Sequence, residues 1–324
     1  MTAQHEPLDV PKLVLQAMER CRDHLSPTPL EFSRYLSEKV QGEVWLKLDS
    51  MQRTESFKFR GAINKILSLT EEELDNGVVS ASTGNYALAV AEAVKVRNRR
   101  ATIYVAEDLE PSRLALLRSH GLDLVIHGKR AWDAEIEARR VAEDQDKTYV
   151  SPYNDPIVVG GQGTCGYEIS KQLPDLDAAL FACGGGGLLA GSAGWLKSHN
   201  PEVEVYGVSP SNSPVMYESM RANKVVEMET TETLADTCAG NVDVDTITLP
   251  LCRRYADEIL LLTEAEIEAS IRLLFEQHRL VSEGSGALGV GGLLKHKERF
   301  KGKKTVAVVC GRNINADVFK RIIQ

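Results

Sequence analysis

The run Cys183-Gly-Gly-Gly-Gly187-Leu-Leu-Ala-Gly191 follows an apolar stretch, Ala178–Ala182. Four glycines between a buried strand and a helix turn backbone N–H groups outward at a helix N-terminus. That makes an anion site, most often for phosphate. A tight strand-to-helix turn needing positive φ would ask for one glycine, not four. A dinucleotide fingerprint wants an acid about 20 residues further on. Glu202 and Glu204 lie close to that spacing, so a dinucleotide stays open on this run alone. No P-loop run ending in Gly-Lys-Ser/Thr occurs.

Lys58 stands between two phenylalanines in Thr54-Glu-Ser56-Phe-Lys58-Phe-Arg60-Gly-Ala62, at the entry to a helical segment. Apolar neighbours disfavour the ammonium form, and a lysine that loses its proton can form a Schiff base with a carbonyl cofactor. Taken alone, Lys58 reads as a surface lysine, as most lysines near a helix start are. Ser80-Ala-Ser82-Thr83-Gly84-Asn85-Tyr86 ends a strand and opens a helix. Its hydroxyls, glycine and helix N-terminus suit a carboxylate, and they also suit an ordinary N-cap. Cys310, in Cys310-Gly-Arg312-Asn313, ends the apolar stretch Thr305–Val309. It is placed either to face a heterocycle nitrogen or to pack.

These groups need elements to carry them. Short β-rich runs fall at Glu43–Leu48, Gly77–Ser80, Ala101–Val105, Asp123–Ile126, Ala178–Cys183, Glu204–Val208, Glu258–Leu262 and Lys304–Val309. Helical patterns separate them, among others Gly61–Ser68, Asn85–Val96, Pro111–Ser119, Ala131–Asp144, Gly163–Gln172 and Glu264–His278. Buried strands with helical crossovers imply parallel sheets and an α/β class, whose ligands bind where strands run into such turns.

The chain has 324 residues, long enough for two domains. A net charge of −8 with no block of Lys or Arg argues against nucleic acid or an acidic membrane as partner. Six scattered cysteines without a CxxC pair read as reduced and cytoplasmic. The acid-bearing stretch MTAQHEPLDVPKLVLQAMER does not read as a signal peptide. No apolar run approaches the roughly 18 residues of a spanning helix.

Together the segments resemble the fold-type II pyridoxal-phosphate (PLP) enzymes, specifically the serine/threonine dehydratase (threonine ammonia-lyase) and serine racemase branch. The resemblance runs from about Leu25 to the C-terminus and keeps its order: SPTPL (26–30), SFKFRGA, STGN, DPIVVGGQGT (155–164), GGGGLLAG, TLAD (233–236), EGSGALG (283–289) and CGRN. It implies a tryptophan synthase β-like α/β fold of two open parallel-sheet domains with helices on both faces. Residues 1–78 plus 153–324 would form a large PLP-binding domain, and 79–152 a small mobile domain for the substrate carboxylate.

The resemblance also implies roles. Lys58 would hold PLP as a Schiff base and act as base or acid at the substrate α-carbon. Gly184, Gly185, Gly186 and Gly187 would bind the cofactor phosphate, itself the acid for the leaving hydroxyl. Asn85 would meet the ring O3′, Phe57 would pack on the ring, Glu283 would sit near its edge, and Cys310 would face its nitrogen. Ser82, Thr83, Gly84 and Asn85 would bind the substrate carboxylate. A thiol is a weak partner that leaves the ring nitrogen neutral, which suits elimination over transamination. The implied reaction is α,β-elimination from a β-hydroxy-L-amino acid such as threonine, serine or hydroxyaspartate, giving a 2-oxo acid and ammonia. The alternatives are an amino-acid racemase using Lys58 and Thr83 on opposite faces, and a non-catalytic PLP or amino-acid binding protein. A homodimer is the family's usual state.

Lys-Phe-Arg after Ser56-Phe57 favours this branch over the synthases, which carry Lys-Asp-Arg. STGN is closer to the threonine synthase loop. Thr83 stands where racemases carry a proton-handling serine, and Tyr86 where a histidine is usual. Ser209 and Val215 occupy the acidic-ligand positions of the racemase divalent-metal site, so no metal is expected there. Arg312 replaces a glycine and faces either solvent or a second substrate carboxylate. The chain ends just past CGRN, so no isoleucine-responsive regulatory domain is expected.

Overall fold

The computed structural model describes residues 8–107, 109, 111–129 and 131–324. The first residues of the acid-bearing N-terminal stretch and of the expected large domain, 1–7, lie outside these, as do 108, 110 and 130 within the expected small domain. Ten strands appear among the described residues: β1 (Leu30–Phe32), β2 (Glu43–Lys47), β3 (Val78–Ala81), β4 (Ala101–Val105), β5 (Asp123–Ile126), β6 (Thr148–Tyr149), β7 (Ala178–Ala182), β8 (Glu204–Pro210), β9 (Glu258–Leu262) and β10 (Lys304–Val308). They form a six-stranded sheet in the order β1-β2-β10-β7-β8-β9 and a four-stranded sheet in the order β5-β4-β3-β6.

Every pairing is parallel except β1 with β2. That pair is the antiparallel edge of an otherwise parallel sheet. Only the short helix Arg34–Val40 joins β1 to β2. Ser33 Oγ caps it by accepting from Leu36 N, and Gln41 ends it in the left-handed region at φ 57°. A connection this short cannot make the crossover that parallel strands need.

β7 is apolar and buried throughout, because helices cover both faces of its sheet. Successive residues of β8 show this: a Cβ on Gly207 would meet Leu189 of helix Gly187–His199, whereas Val208 lies against Gly292 of helix Gly284–Lys295. The strands therefore deliver their C-terminal ends, with Cys183 and Cys310, to one rim.

Helix Lys58–Ser68 lies on the seam between the sheets. Its Phe59, Ile63 and Ile66 share a core with Tyr86, Val90 and Val94 of helix Asn85–Val96 and with Val78 of β3. Arg60 points the other way, into a buried ionic cluster. Its Nε and Nη2 hold the Asp49 carboxylate at 2.8 Å each, and its Nη1 holds Glu168 Oε1 at 2.6 Å. Lys47 Nζ holds the other Glu168 oxygen at 2.6 Å, and Thr28 Oγ1 donates to Asp49 at 2.7 Å. Phe57 N donates to Cys310 O at 2.9 Å. One helix start is thus tied to the end of β10 by its backbone and, through the buried Arg60, to Asp49 just after β2 and to Glu168 of helix Pro156–Gln172. No helix among the described residues is long and apolar enough to cross a membrane.

Candidate active site

A cavity opens where the strand ends meet the seam. Phe57, Lys58, Gly184, Gly185, Gly186, Gly187 and Cys310 line it, together with Pro152, Tyr153, Thr237, Cys238 and Ser285. Residues more than 250 apart in the chain converge here because each follows a strand or opens a helix at the same rim.

Helix Gly187–His199 starts without a side-chain cap, and its N-cap Gly186 has φ 82°. The glycines are also sterically required. A Cβ on Gly184 would come within 2.7 Å of Cys238 Cα, and one on Gly185 within 2.6 Å of the Tyr153 ring. The loop lies flat on Tyr153, whose OH is fixed by accepting from Asp243 N at 2.9 Å. Uncapped amides at a helix start, with no side chain in the way, make an anion cradle.

Lys58 Nζ lies over the Phe57 ring at 5.0 Å and over the Tyr86 ring at 5.8 Å, and it donates to Pro152 O at 3.5 Å. Burial lowers its pKa, against the nearby Cys238, Cys310 and Glu283, which raise it. Burial pushes the Cys238 thiol up to about 12 and the Cys310 thiol well above its ordinary value. Cys310 therefore stays protonated, with Sγ donating to Ser285 O at 3.4 Å. Ser285 Oγ is buried and has no hydrogen-bond partner.

Beside the cavity, Asn85 and Glu283 form a buried pair. Asn85 Nδ2 donates to Glu283 Oε1 at 2.7 Å, and its Oδ1 accepts from Asn313 Nδ2 at 2.7 Å. Thr237 Oγ1 (3.3 Å) and Asn313 N (3.1 Å) also donate to Glu283. Burial is the largest influence and raises the Glu283 pKa from 4.5 to about 7. The folded state then holds a proton between pH 4.5 and about 7 that the unfolded state has released. Stability from this group is full at acid pH and is lost as pH rises through that window. We expect Glu283→Gln to remove a loss on the order of 3 kcal/mol between about pH 5 and pH 8, read by urea unfolding of the cofactor-free protein. An equal pH slope in wild type and variant would contradict the assignment.

Ser82, Thr83 and Gly84 form the loop ahead of helix Asn85–Val96. That helix has no side-chain cap, so neither hydroxyl is spent as an N-cap. Ser82 Oγ accepts instead from Gly84 N at 3.4 Å. The loop stands off the cavity floor, and Gly84 faces it across Thr237, whose Cγ2 is 3.7 Å from the Gly84 Cβ position. Arg312 pairs with Glu55 at 3.0 Å, both half-exposed, so its charge is directed there and not to the loop. Ser209 Oγ donates to Cys183 O at 2.5 Å. Among the described residues no group of three His, Cys, Asp or Glu is placed to hold a metal.

Tyr153, Thr237, Cys238 and Ser285 escaped the sequence reading. Thr237 and Cys238 directly follow TLAD (233–236), and Ser285 lies within EGSGALG. Tyr153 follows the end of β6, a strand-end position that itself marks ligand sites in open sheets.

The donor set fits PLP on three observations: the Cβ-free cradle for a phosphate, the amine of Lys58 for the carbonyl, and a protonated thiol for the ring nitrogen. The fold and cavity define a fold-type II α/β enzyme. The pyridoxal-phosphate dependent enzyme family matches residues 21–311, and the chain belongs to it; its cofactor is PLP. It is 40% identical over 310 residues to the L-threonine ammonia-lyase of Thermotoga maritima, covering 96% of this chain and 77% of that one. The processed form of threonine deaminase isoform 2 from Solanum lycopersicum superposes with a TM-score of 0.92 at 30% identity, covering 98% and 88% of the two chains. Maize serine racemase superposes with a TM-score of 0.91 at 26% identity, covering 98% and 97%.

Proposed function

We propose that the protein eliminates water from a β-hydroxy-L-amino acid such as threonine, serine or hydroxyaspartate. The products are a 2-oxo acid and ammonia. One observation carries the reading: an amine of lowered pKa, a glycine cradle and a protonated thiol share one cavity. The names of the lyase and deaminase relatives support the substrate class.

When bound, PLP supplies the electron sink for the bond broken at the α-carbon. Gly184, Gly185, Gly186 and Gly187 would hold its phosphate, Phe57 would pack on its ring, Asn85 would donate to O3′, and Cys310 would face the ring nitrogen. Glu283 holds Asn85 in place. The Ser82–Thr83–Gly84 loop and Asn85 take the substrate carboxylate at the uncapped helix start. Lys58 Nζ removes the α-proton, which its lowered pKa allows near neutrality. The β-hydroxyl leaves as water, and water then releases ammonia from the enamine product. Residues 79–152 act as the smaller unit whose closure excludes solvent. The family resemblance supports a homodimer, and six buried free cysteines support a cytoplasmic location.

Racemisation is the second reading, favoured by the likeness to maize serine racemase and by the free Thr83 hydroxyl in the loop. Chiral chromatography of L-serine left after partial turnover separates the two. The elimination reading expects residual serine that stays L, with 2-oxo acid and ammonia in equal amounts. Accumulating D-serine that disappears in Thr83→Ala would overturn it.

A further inference from the structure

The turn Asp236–Cys238 borders the cavity through Thr237 and Cys238. Asp236 pairs with Arg113 at 2.9 Å. Cys238 packs its Cα against the glycine loop. Thr237 lines the cavity, donates Oγ1 to Glu283 Oε1 at 3.3 Å, and places Cγ2 3.7 Å from the Gly84 Cβ position.

An amino acid whose carboxylate sits on the Ser82–Gly84 loop, with its α-carbon within reach of Lys58, must direct its side chain into the space between loop and cavity floor. Thr237 reaches both of those walls. A β-branched side chain has few χ1 choices. With the hydroxyl committed to Glu283, the methyl is the part left facing the loop. Its size, not its polarity, is therefore what a substrate side chain meets.

We propose that Thr237 is a specificity-determining residue whose methyl group limits the substrate's β-substituent to hydrogen or methyl, while its hydroxyl orients Glu283. The proposal rests on the lyase reading above. It narrows the substrate class to serine- and threonine-sized β-hydroxy amino acids.

The two halves of the side chain are tested separately. Thr237→Ser keeps the hydroxyl and removes the methyl. It is expected to raise kcat/KM for L-β-hydroxynorvaline relative to L-serine by about tenfold or more, the effect of one methyl-sized obstruction. Thr237→Val keeps the bulk and removes the donor. The substrate ratio should then stay as in wild type. The apparent pKa that Glu283 contributes to the kcat/KM profile should move upward, because a donor that favoured the ionised carboxylate is gone. A ratio unchanged in Thr237→Ser, with L-serine still turned over, overturns the proposal and leaves the lyase reading standing. If wild type turns over none of these substrates, the lyase reading fails instead. The same ratio, taken as dissociation constants from the absorbance change of bound PLP, then decides the steric claim: an unchanged ratio overturns it and a tenfold change upholds it. If Thr237→Ser does not fold, the Thr237→Val pH profile decides, and an unmoved profile overturns the proposal.

Discussion

Lys58→Ala is expected to bind PLP through the glycine loop and yet to lose roughly 10⁴-fold or more in kcat/KM, the upper range for a positioned proton-transfer group. Lys58→Arg should be as inactive, because a guanidinium stays protonated in proteins and cannot take the α-proton. The geometry explains why no neighbour substitutes. The backbone bond from Phe57 N to Cys310 O fixes the start of the helix, and the Phe57 and Tyr86 rings flank the amine. The cavity thiols, Cys238 and Cys310, are held in the protonated form by burial, so neither is a ready base near neutrality. Stopped assays for 2-oxo acid, beside the visible absorbance of the purified proteins, read both outcomes. Turnover by Lys58→Ala within tenfold of wild type would remove Lys58 from the chemistry.

The second large effect is on stability. Arg60→Met leaves Asp49 and Glu168 facing Lys47 in a site where Arg60, Lys47 and Asp49 are all fully buried. Burial alone would raise the Asp49 pKa, and Arg60 outweighs it, holding the carboxyl below its ordinary range. Removing one partner of a buried ionic cluster costs about 3–5 kcal/mol, chiefly because the remaining charges keep their desolvation cost. For a chain this long that corresponds to a Tm lower by on the order of 10 °C. Part of the loss should return at acid pH, as Asp49 becomes protonated and its charge disappears. A Tm within about 2 °C of wild type would show that the cluster is not needed to hold the seam. Differential scanning calorimetry at two pH values settles this without reference to activity.

The two effects belong to neighbouring residues on one helix, and they show what a sequence exposes. Lys58 was legible because Phe57, Phe59 and the ordered set of short motifs singled it out. Arg60 was not, because an arginine after a phenylalanine carries no mark of its burial. Its partners lie 11 and 108 positions away, and only the folding that brings the turn after β2 and helix Pro156–Gln172 against helix Lys58–Ser68 makes them neighbours. The strands with continuous apolar runs, β7 and β10 above all, were legible from hydrophobicity. β1 and β6, of three and two residues, fall below any pattern length. Glycine spacing revealed the cradle, but not that Tyr153 forms its bed. Glu283 was placed near the ring by resemblance. Its bond to Asn85 and its raised pKa come from burial, which a linear motif does not encode.

Release of 2-oxo acid by the PLP-loaded protein tests the central claim most directly. The panel is L- and D-serine, L- and D-threonine and threo-3-hydroxyaspartate, with Lys58→Ala as control. The account predicts product from L-serine or L-threonine, equimolar ammonia, and none of either from the control. No 2-oxo acid from any substrate, with PLP demonstrably bound through Lys58, would contradict it.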